Sequence, residues 1–331
     1  MRPNKSLTKH HRTDPRVFFN FHTIMYLAGN HHNHNAATFL HYDWRLVAVL
    51  PALYLRWETA MFYESKSSNE QRLGDTMRMK GKVVLITGAT GEIGTAMTQR
   101  FLAEGASVCV TGRSPEKLAD INKALGARAK LTTSLVDALD ETAVLSSVER
   151  CIAEFGGIDA IIANAGTEGK VQPLEMYSVE EFNATLLVNV TGVWLYLKHG
   201  LPPMRARGGG SFVAISSGAG TVGFPGLCPY AASKHAVNGL VRTACLENAG
   251  FGIRVNALAP GPTDTRMMES VGLQANSEDP AAFKNAVIST IPMQRYGKVD
   301  EIAKLAVFLA SEDSSFCNGG VYMADGGFTA A

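Results

Sequence analysis

From Lys80 onward, short apolar runs alternate with longer stretches in which apolar and polar positions repeat at helical spacing. The runs Val83–Ile86, Ser107–Thr111, Ile158–Ala163, Ser211–Ile215, Ile253–Leu258 and Gly320–Ala324 predict strands. They are almost wholly apolar instead of alternating, as expected when helices cover both faces of a parallel sheet. The intervening segments open on helix-start signals. Ser114 precedes Pro115 at a first helical position, and Ser178 with Glu181 makes a capping box. Asp140 and Asp300 are further N-cap candidates. With another strand region ending before Asp137, the pattern predicts a doubly wound α/β domain with a parallel sheet of about seven strands.

Between the first predicted strand and the helix after it stands Thr87-Gly-Ala-Thr-Gly-Glu-Ile-Gly94. Gly88 permits a tight turn, and Gly94 lets helix and strand pack closely. Gly91 leaves room for backbone to approach a pyrophosphate at the helix N-terminus. Thr90, Glu92 and Ile93 complete the loop and are candidates for the same ligand. A glycine cluster alone is weak evidence, but in this strand–turn–helix setting it points to a dinucleotide and a Rossmann-type domain.

The second predicted strand ends at Thr111-Gly112-Arg113, 18 residues beyond Gly94. Enzymes that prefer NAD place a carboxylate here to hold the ribose 2′-hydroxyl. Gly112 removes the repulsion a carboxylate would exert on a 2′-phosphate, and the Arg113 guanidinium can pair with that phosphate. NADP(H) is therefore favoured. NAD(H) remains possible if Arg113 is a surface residue or lies on the adenine. Asp137 is a candidate for the adenine amine, or else a helix-entry aspartate.

Tyr230 and Lys234 are four residues apart, which puts them on one helix face. Ser217 lies 13 residues before the tyrosine. A free tyrosine titrates near pH ~10, so bringing it toward neutrality needs roughly 3–4 kcal/mol. One ammonium at about 4–5 Å supplies energy of that order at an effective dielectric near 20. The expectation is that Lys234 draws the phenol down and makes it an acid/base.

Composition narrows the field. The chain has 331 residues, 46% of them hydrophobic, and a net charge of +1, so nothing points to nucleic acid. Its five cysteines are scattered without metal-ligand spacing and read as reduced thiols of a cytoplasmic protein. Residues 1–78 differ from the rest: seven of the nine histidines lie there, with Arg2, Lys5, Lys9, Arg12 and Arg16. Three readings of this segment stand. It is a poorly ordered extension outside the fold, with Met77 or Met79 beginning the domain; an organellar targeting segment; or a histidine metal site, although no cysteine or carboxylate completes one. The first sets the boundaries used here, an extension over 1–78 and a dinucleotide-binding domain over 79–331, with no metal. One uncharged, wholly apolar run, Leu46–Leu55, is interrupted by Pro51. It is too short for a bilayer, which takes about 20 residues, so no membrane partner is expected.

From Lys80 to Ala331 the chain resembles the short-chain dehydrogenase/reductase family, in its single-domain branch of ketoreductases and secondary-alcohol dehydrogenases. The landmarks run in order: the glycine loop, Asp137, Asn164-Ala-Gly166, Asn189 in V-N-V-T-G, Ser217, Tyr230 with Lys234, Pro260-Gly261 leading through Thr263 to Thr265, and Asp325-Gly-Gly327. Glu92 departs from the branch's usual middle glycine, and Ala163 from a frequent asparagine. The resemblance implies an oxidoreductase interconverting a secondary alcohol and a ketone. Tyr230 would be general acid or base, and Ser217 would stabilise the substrate oxygen. Lys234 would depress the tyrosine and hold the nicotinamide ribose. Asn189 would hold a water in a proton relay, and Thr265 would bind the carboxamide. Asn164 and Gly166 would line the cofactor groove, with Pro260, Gly261 and Thr263 at its nicotinamide end. The family also implies a homotetramer or homodimer, with Phe328 near a subunit contact.

Blander readings accompany these. Ser217 bonds only local backbone, Asn189 is a structural amide, His235 points away from Lys234, and His199 ends a helix near Pro202-Pro203. The stretch Arg266–Gln294, with Met267, Met268, Val271 and Leu273, is expected as an irregular lid over an apolar pocket. An epimerase or dehydratase, or a catalytically silent dinucleotide-binding regulator, are the alternatives in function.

Overall fold

The computed structural model describes residues 77–125 and 130–330. The histidines and the Leu46–Leu55 run of the expected extension lie outside those residues. Met77 and Arg78 lie within them. Arg78 donates to the Glu104 carboxylate from its backbone N–H at 3.2 Å and from Nη2 at 2.5 Å. The folded unit thus takes in residues that the composition break had assigned to the extension. No helix among the described residues is long and apolar enough to cross a membrane, and no metal-binding group occurs among them.

Seven parallel strands form one sheet in the order β3-β2-β1-β4-β5-β6-β7. They are β1 Val83–Ile86, β2 Ser107–Gly112, β3 Leu131–Leu135, β4 Ala160–Ala163, β5 Gly210–Ile215, β6 Ile253–Pro260 and β7 Val321–Ala324. The helices between them are α1 Glu92–Ala103, α2 Pro115–Leu125, α3 Glu141–Phe155, α4 Val179–Leu186, α5 Gly192–Ala206, α6 Cys228–Asn248, α7 Arg266–Ala275, α8 Pro280–Thr290 and α9 Val299–Ala310.

Two apolar layers sandwich the sheet. Leu85, Ile161, Phe212 and Val255 pack with Val148 of α3, Leu195 of α5 and Val241 of α6. The alternate residues Val84, Ile162, Val213 and Leu258 pack with Phe101 of α1 and Val307 of α9. Central strands therefore lack a wet face, which explains why their sequences are mostly apolar. Each such side chain contributes roughly 1.5–3 kcal/mol by leaving water. Strand β3 is an edge strand, half-buried, with the sequence Leu-Thr-Thr-Ser-Leu.

Capping follows the expected chemistry at three helices. Ser178 and Glu181 exchange side-chain and backbone bonds, both at 3.2 Å. Asp140 accepts from the Ala143 N–H at 3.1 Å, and Ser114 from that of Lys117 at 3.2 Å. Asp300 is not a cap. Helix α9 starts at Val299, before it, with the Lys298 N–H donating to Glu301 at 2.7 Å. Asp300 instead pairs with Arg100 and Lys304. The stretch 266–294 is not irregular either: it forms α7 and α8, capped by Thr265 and Asp279. Helix α5 runs through Pro202 and Pro203, and His199 binds Glu141 on α3 at 2.8 Å.

The cysteine expectation fails at one pair. Cys109 of β2 and Cys151 of α3 form a disulfide within the first apolar layer. Their separation of 42 residues carries no sequence signal, because the sheet brings them together. The compartment inferred from reduced thiols loses that support. Thiol titration in denaturant should count three thiols, those of Cys228, Cys245 and Cys317. After reduction it should count all five cysteines; five before reduction would overturn the bridge.

Candidate active site

The turn after β1 passes through Gly88 at φ 61°, a region that costs other L-residues roughly 1–2 kcal/mol. A Cβ on Gly94 would lie 2.4 Å from the Gly88 carbonyl oxygen and 2.7 Å from Ala89 Cα. Only glycine lets α1 begin this close to the turn. Beneath the loop, Thr87 Oγ1 accepts from the Asn164 and Ala165 N–H groups, both at 2.9 Å. Asn164 Nδ2 donates to the Thr87 and Gly88 carbonyls, both at 3.0 Å. The loops after β1 and β4 are thereby fastened where the strand order reverses, the place in such sheets where ligands sit.

A groove runs over this floor, lined by Gly88, Thr90, Gly91 and the first residues of α1. Gly91 leaves its mouth open: a Cβ there would meet nothing nearer than 3.7 Å. A helix N-terminus above a backbone cradle that side chains would fill fits a pyrophosphate. Glu92 also lines the groove, and its Oε1 accepts from the Arg266 N–H at 3.3 Å. A carboxylate at a helix start is favourable, so the departure from glycine links the loop to α7.

At the far end of the groove, a Cβ on Gly112 would lie 2.6 Å from Thr90 Cγ2. Packing against the loop thus leaves no room there for an acidic side chain. Arg113 is exposed and lines this end, together with Lys117 one turn along α2. Neither pairs with a carboxylate among the described residues. Sequence reasoning passed over Lys117, although its position one turn after Arg113 was the available signal. Asp137 also lines the groove, while its Oδ1 accepts from the Leu139 N–H at 3.0 Å.

Strand β5 delivers Ser217, whose Oγ accepts from the Ala219 N–H at 3.2 Å. Helix α6 carries Tyr230 in its first turn and Lys234 one turn on. Lys234 is buried, its Nζ donating to the Ile215 carbonyl at 2.8 Å and lying 5.6 Å from the centre of the Tyr230 ring. Burial pushes the Lys234 ammonium down to about 8. Burial raises Tyr230 above its ordinary value, the Ser217 hydroxyl opposes this, and the Glu168 carboxylate adds to it. The expectation that Lys234 draws the phenol toward neutrality is therefore not met in the protein without coenzyme. Desolvation is the leading cause for both groups, so Tyr230 carries its proton at neutral pH.

Asn189 is fully buried in a π-helical turn, Leu187–Thr191, between α4 and α5. Its Oδ1 accepts from the Thr167 N–H at 2.8 Å, and its Nδ2 donates to the Thr167 carbonyl and to Ser233 Oγ, both at 2.9 Å. Ser233 Oγ in turn donates to the Tyr230 carbonyl at 2.7 Å. The amide joins the segment after β4 to the turn that holds the tyrosine.

A second cavity opens above Ser217 and Tyr230. It shares Ile93, Asn164, Gly166, Thr265 and Met267 with the groove. Its walls are Phe224, Leu227, Met268, Val271 and Phe328, with Pro260, Gly261 and Thr263 along one side. Thr265 caps α7 and donates to the Thr263 carbonyl at 3.2 Å; Thr263 is buried and donates to that of Gly261 at 2.9 Å. Phe328, expected at a subunit contact, packs on Phe224 with ring centres 5.7 Å apart. Asp325 places it by accepting from the Gly327 and Thr329 N–H groups, both at 2.9 Å. His199 and His235 do not line this cavity, and Leu273 is exposed.

A family model described as enoyl-(acyl carrier protein) reductase matches residues 88–329. Levodione reductase of Leifsonia aquatica is 38% identical over 259 residues, covering 77% of this chain and 97% of that protein. The crystal structure of levodione reductase superposes with a TM-score of 0.75, covering 77% of this chain and all of that one. A 3-oxoacyl-(acyl-carrier-protein) reductase of Thermotoga maritima is 38% identical over 76% of this chain and 99% of its own length. A gluconate 5-dehydrogenase from Burkholderia cenocepacia, solved with NADP and tartrate, is 32% identical with a TM-score of 0.71, covering 78% of this chain and 98% of that one.

Proposed function

The chain belongs to the short-chain dehydrogenase/reductase family, and from that premise we propose that it interconverts a secondary alcohol and a ketone with NADP(H), Tyr230 handling the proton. One observation carries the reading: Ser217 and Tyr230 face an apolar cavity that merges with the dinucleotide groove along Asn164, Gly166 and Thr265.

In the direction of reduction, Tyr230 gives its proton to the carbonyl oxygen. The Ser217 hydroxyl donates to the same oxygen and stabilises the charge that develops on it. Lys234 compensates the phenolate left behind. Asn189 keeps Thr167 and the Tyr230 turn in register. The bound coenzyme supplies or accepts the hydride. Gly88, Thr90, Gly91, Ile93 and Gly94 hold its pyrophosphate, and Asp137 the adenine. Pro260, Gly261, Thr263 and Thr265 hold the nicotinamide end.

The test is a panel of hydrophobic and cyclic ketones and their alcohols, assayed with NADPH and NADH. Turnover of coenzyme with one or more of them is expected; none across the panel would remove the reading. Arg113 and Lys117 are the groups proposed for the 2′-phosphate. Arg113→Ala is expected to raise KM for NADPH at least about tenfold, the equivalent of roughly 1.4 kcal/mol, with little change for NADH. Better turnover of NADH than NADPH by the unaltered protein would overturn the preference.

A further inference from the structure

The catalytic cavity has two charged side chains in its lining, Lys234 and Glu168. Lys234 is committed to the Ile215 carbonyl. Glu168 is half-buried and has no cation or hydrogen-bond donor within reach among the described residues. A ligand that fills the cavity strips water from this carboxylate, and that costs free energy unless the ligand itself offers a donor.

The backbone around Glu168 is held firmly. On one side, Asn189 grips both the N–H and the carbonyl of Thr167, at 2.8 and 2.9 Å. On the other, Gly169 adopts φ 71°, and a Cβ there would come within 2.6 Å of Thr185 Oγ1. The Thr167 clamp therefore fixes where the Glu168 side chain leaves the backbone, at the rim of the cavity. Its field reaches the reacting centre, since it helps hold the Tyr230 proton on.

We propose that Glu168 sets substrate charge and polarity: the cavity takes an uncharged ketone or alcohol carrying a further hydroxyl, and turns away anionic carboxylates and phosphate monoesters. An ionised carboxylate only accepts hydrogen bonds, so a substrate hydroxyl satisfies it. A second anion enclosed by Phe224, Leu227 and Phe328 meets repulsion at low effective dielectric. The proposal rests on the reading of this cavity as the place where ketone and alcohol are exchanged.

Its test compares 4-hydroxycyclohexanone with 4-oxocyclohexanecarboxylate, by kcat/KM, in the unaltered protein and in Glu168→Gln. The hydroxyketone should be favoured by at least about a hundredfold in the unaltered protein, equivalent to roughly 2.7 kcal/mol. The variant should lower that ratio at least about tenfold, chiefly by improving the carboxylate. Glu168→Ala, expected to move the ratio the same way, serves if the glutamine variant melts early. An unchanged ratio, or a carboxylate preferred by the unaltered protein, overturns the assignment to Glu168. Failure of both ketones, with the wider panel also inactive, would instead remove the reaction itself.

Discussion

Tyr230→Phe is expected to lower kcat roughly a thousandfold, within the range that loss of a positioned proton donor commonly costs. The ring stays and only the hydroxyl goes, so packing in α6 should hold and Tm should stay within a few degrees. Coenzyme affinity, measured by fluorescence titration, should also change little. Nothing nearby can substitute: His235 is exposed, with Nδ1 against the Ala231 carbonyl at 2.9 Å, and Lys234 is tied to β5. Direction of reaction gives a second readout. Because burial raises the Tyr230 pKa, the phenol is protonated at neutral pH and ready to donate. Ketone reduction should therefore be nearly independent of pH between 6 and about 8. Alcohol oxidation, which needs the phenolate, should rise with pH over the same span. Equal kcat in variant and parent would sink the assignment.

Lys234→Met is expected to act in two opposite directions. Activity should fall at least about a hundredfold, as when a fixed charge stabiliser is removed. Without coenzyme, however, the variant should be the more stable protein near neutral pH. The fall from 10.5 to about 8 corresponds to roughly 3 kcal/mol spent on burying the ammonium. The unfolded chain binds this proton more tightly than the folded one. The cost is therefore full below about pH 8, fades as pH rises toward 10.5, and is absent above. Losing the bond to the Ile215 carbonyl offsets about 1 kcal/mol of the gain. A net of about 2 kcal/mol should raise Tm by roughly 4–8 °C at pH 7, and less at pH 10. A variant that melts earlier than its parent at pH 7 would show that the buried charge is compensated in the apo fold. The trade is a familiar one, since active sites hold groups that folding alone would not choose.

The central strands were legible because β1, β2, β4, β5 and β6 are covered on both faces, which favours apolar residues at nearly every position. Strand β3 gave no such run, since Thr132, Thr133 and Ser134 sit in a half-buried edge strand. Helices α7 and α8 fall where the sequence predicts an irregular lid, although Asp279 before Pro280 is a helix-start signal of the same kind as Ser114 before Pro115. Spacing alone placed Tyr230 beside Lys234, because four residues make one helical turn. It did not disclose the dryness around them, which depends on β5, α4 and the loop after β4 meeting in space. Glu168 and the Cys109–Cys151 bridge were hidden for the same reason: each becomes meaningful through a neighbour distant in sequence.

The position of Asn189 bears on how the enzyme can change its substrate range. One amide clamps Thr167, next to Glu168, and reaches the Tyr230 turn through Ser233. Remodelling that wall would drag the Tyr230 turn out of alignment. Phe224, Met268 and Phe328 stand outside this linkage, with α7 fastened instead to Glu92. New specificities should therefore be reached more cheaply through those three positions, and laboratory selection should find them first.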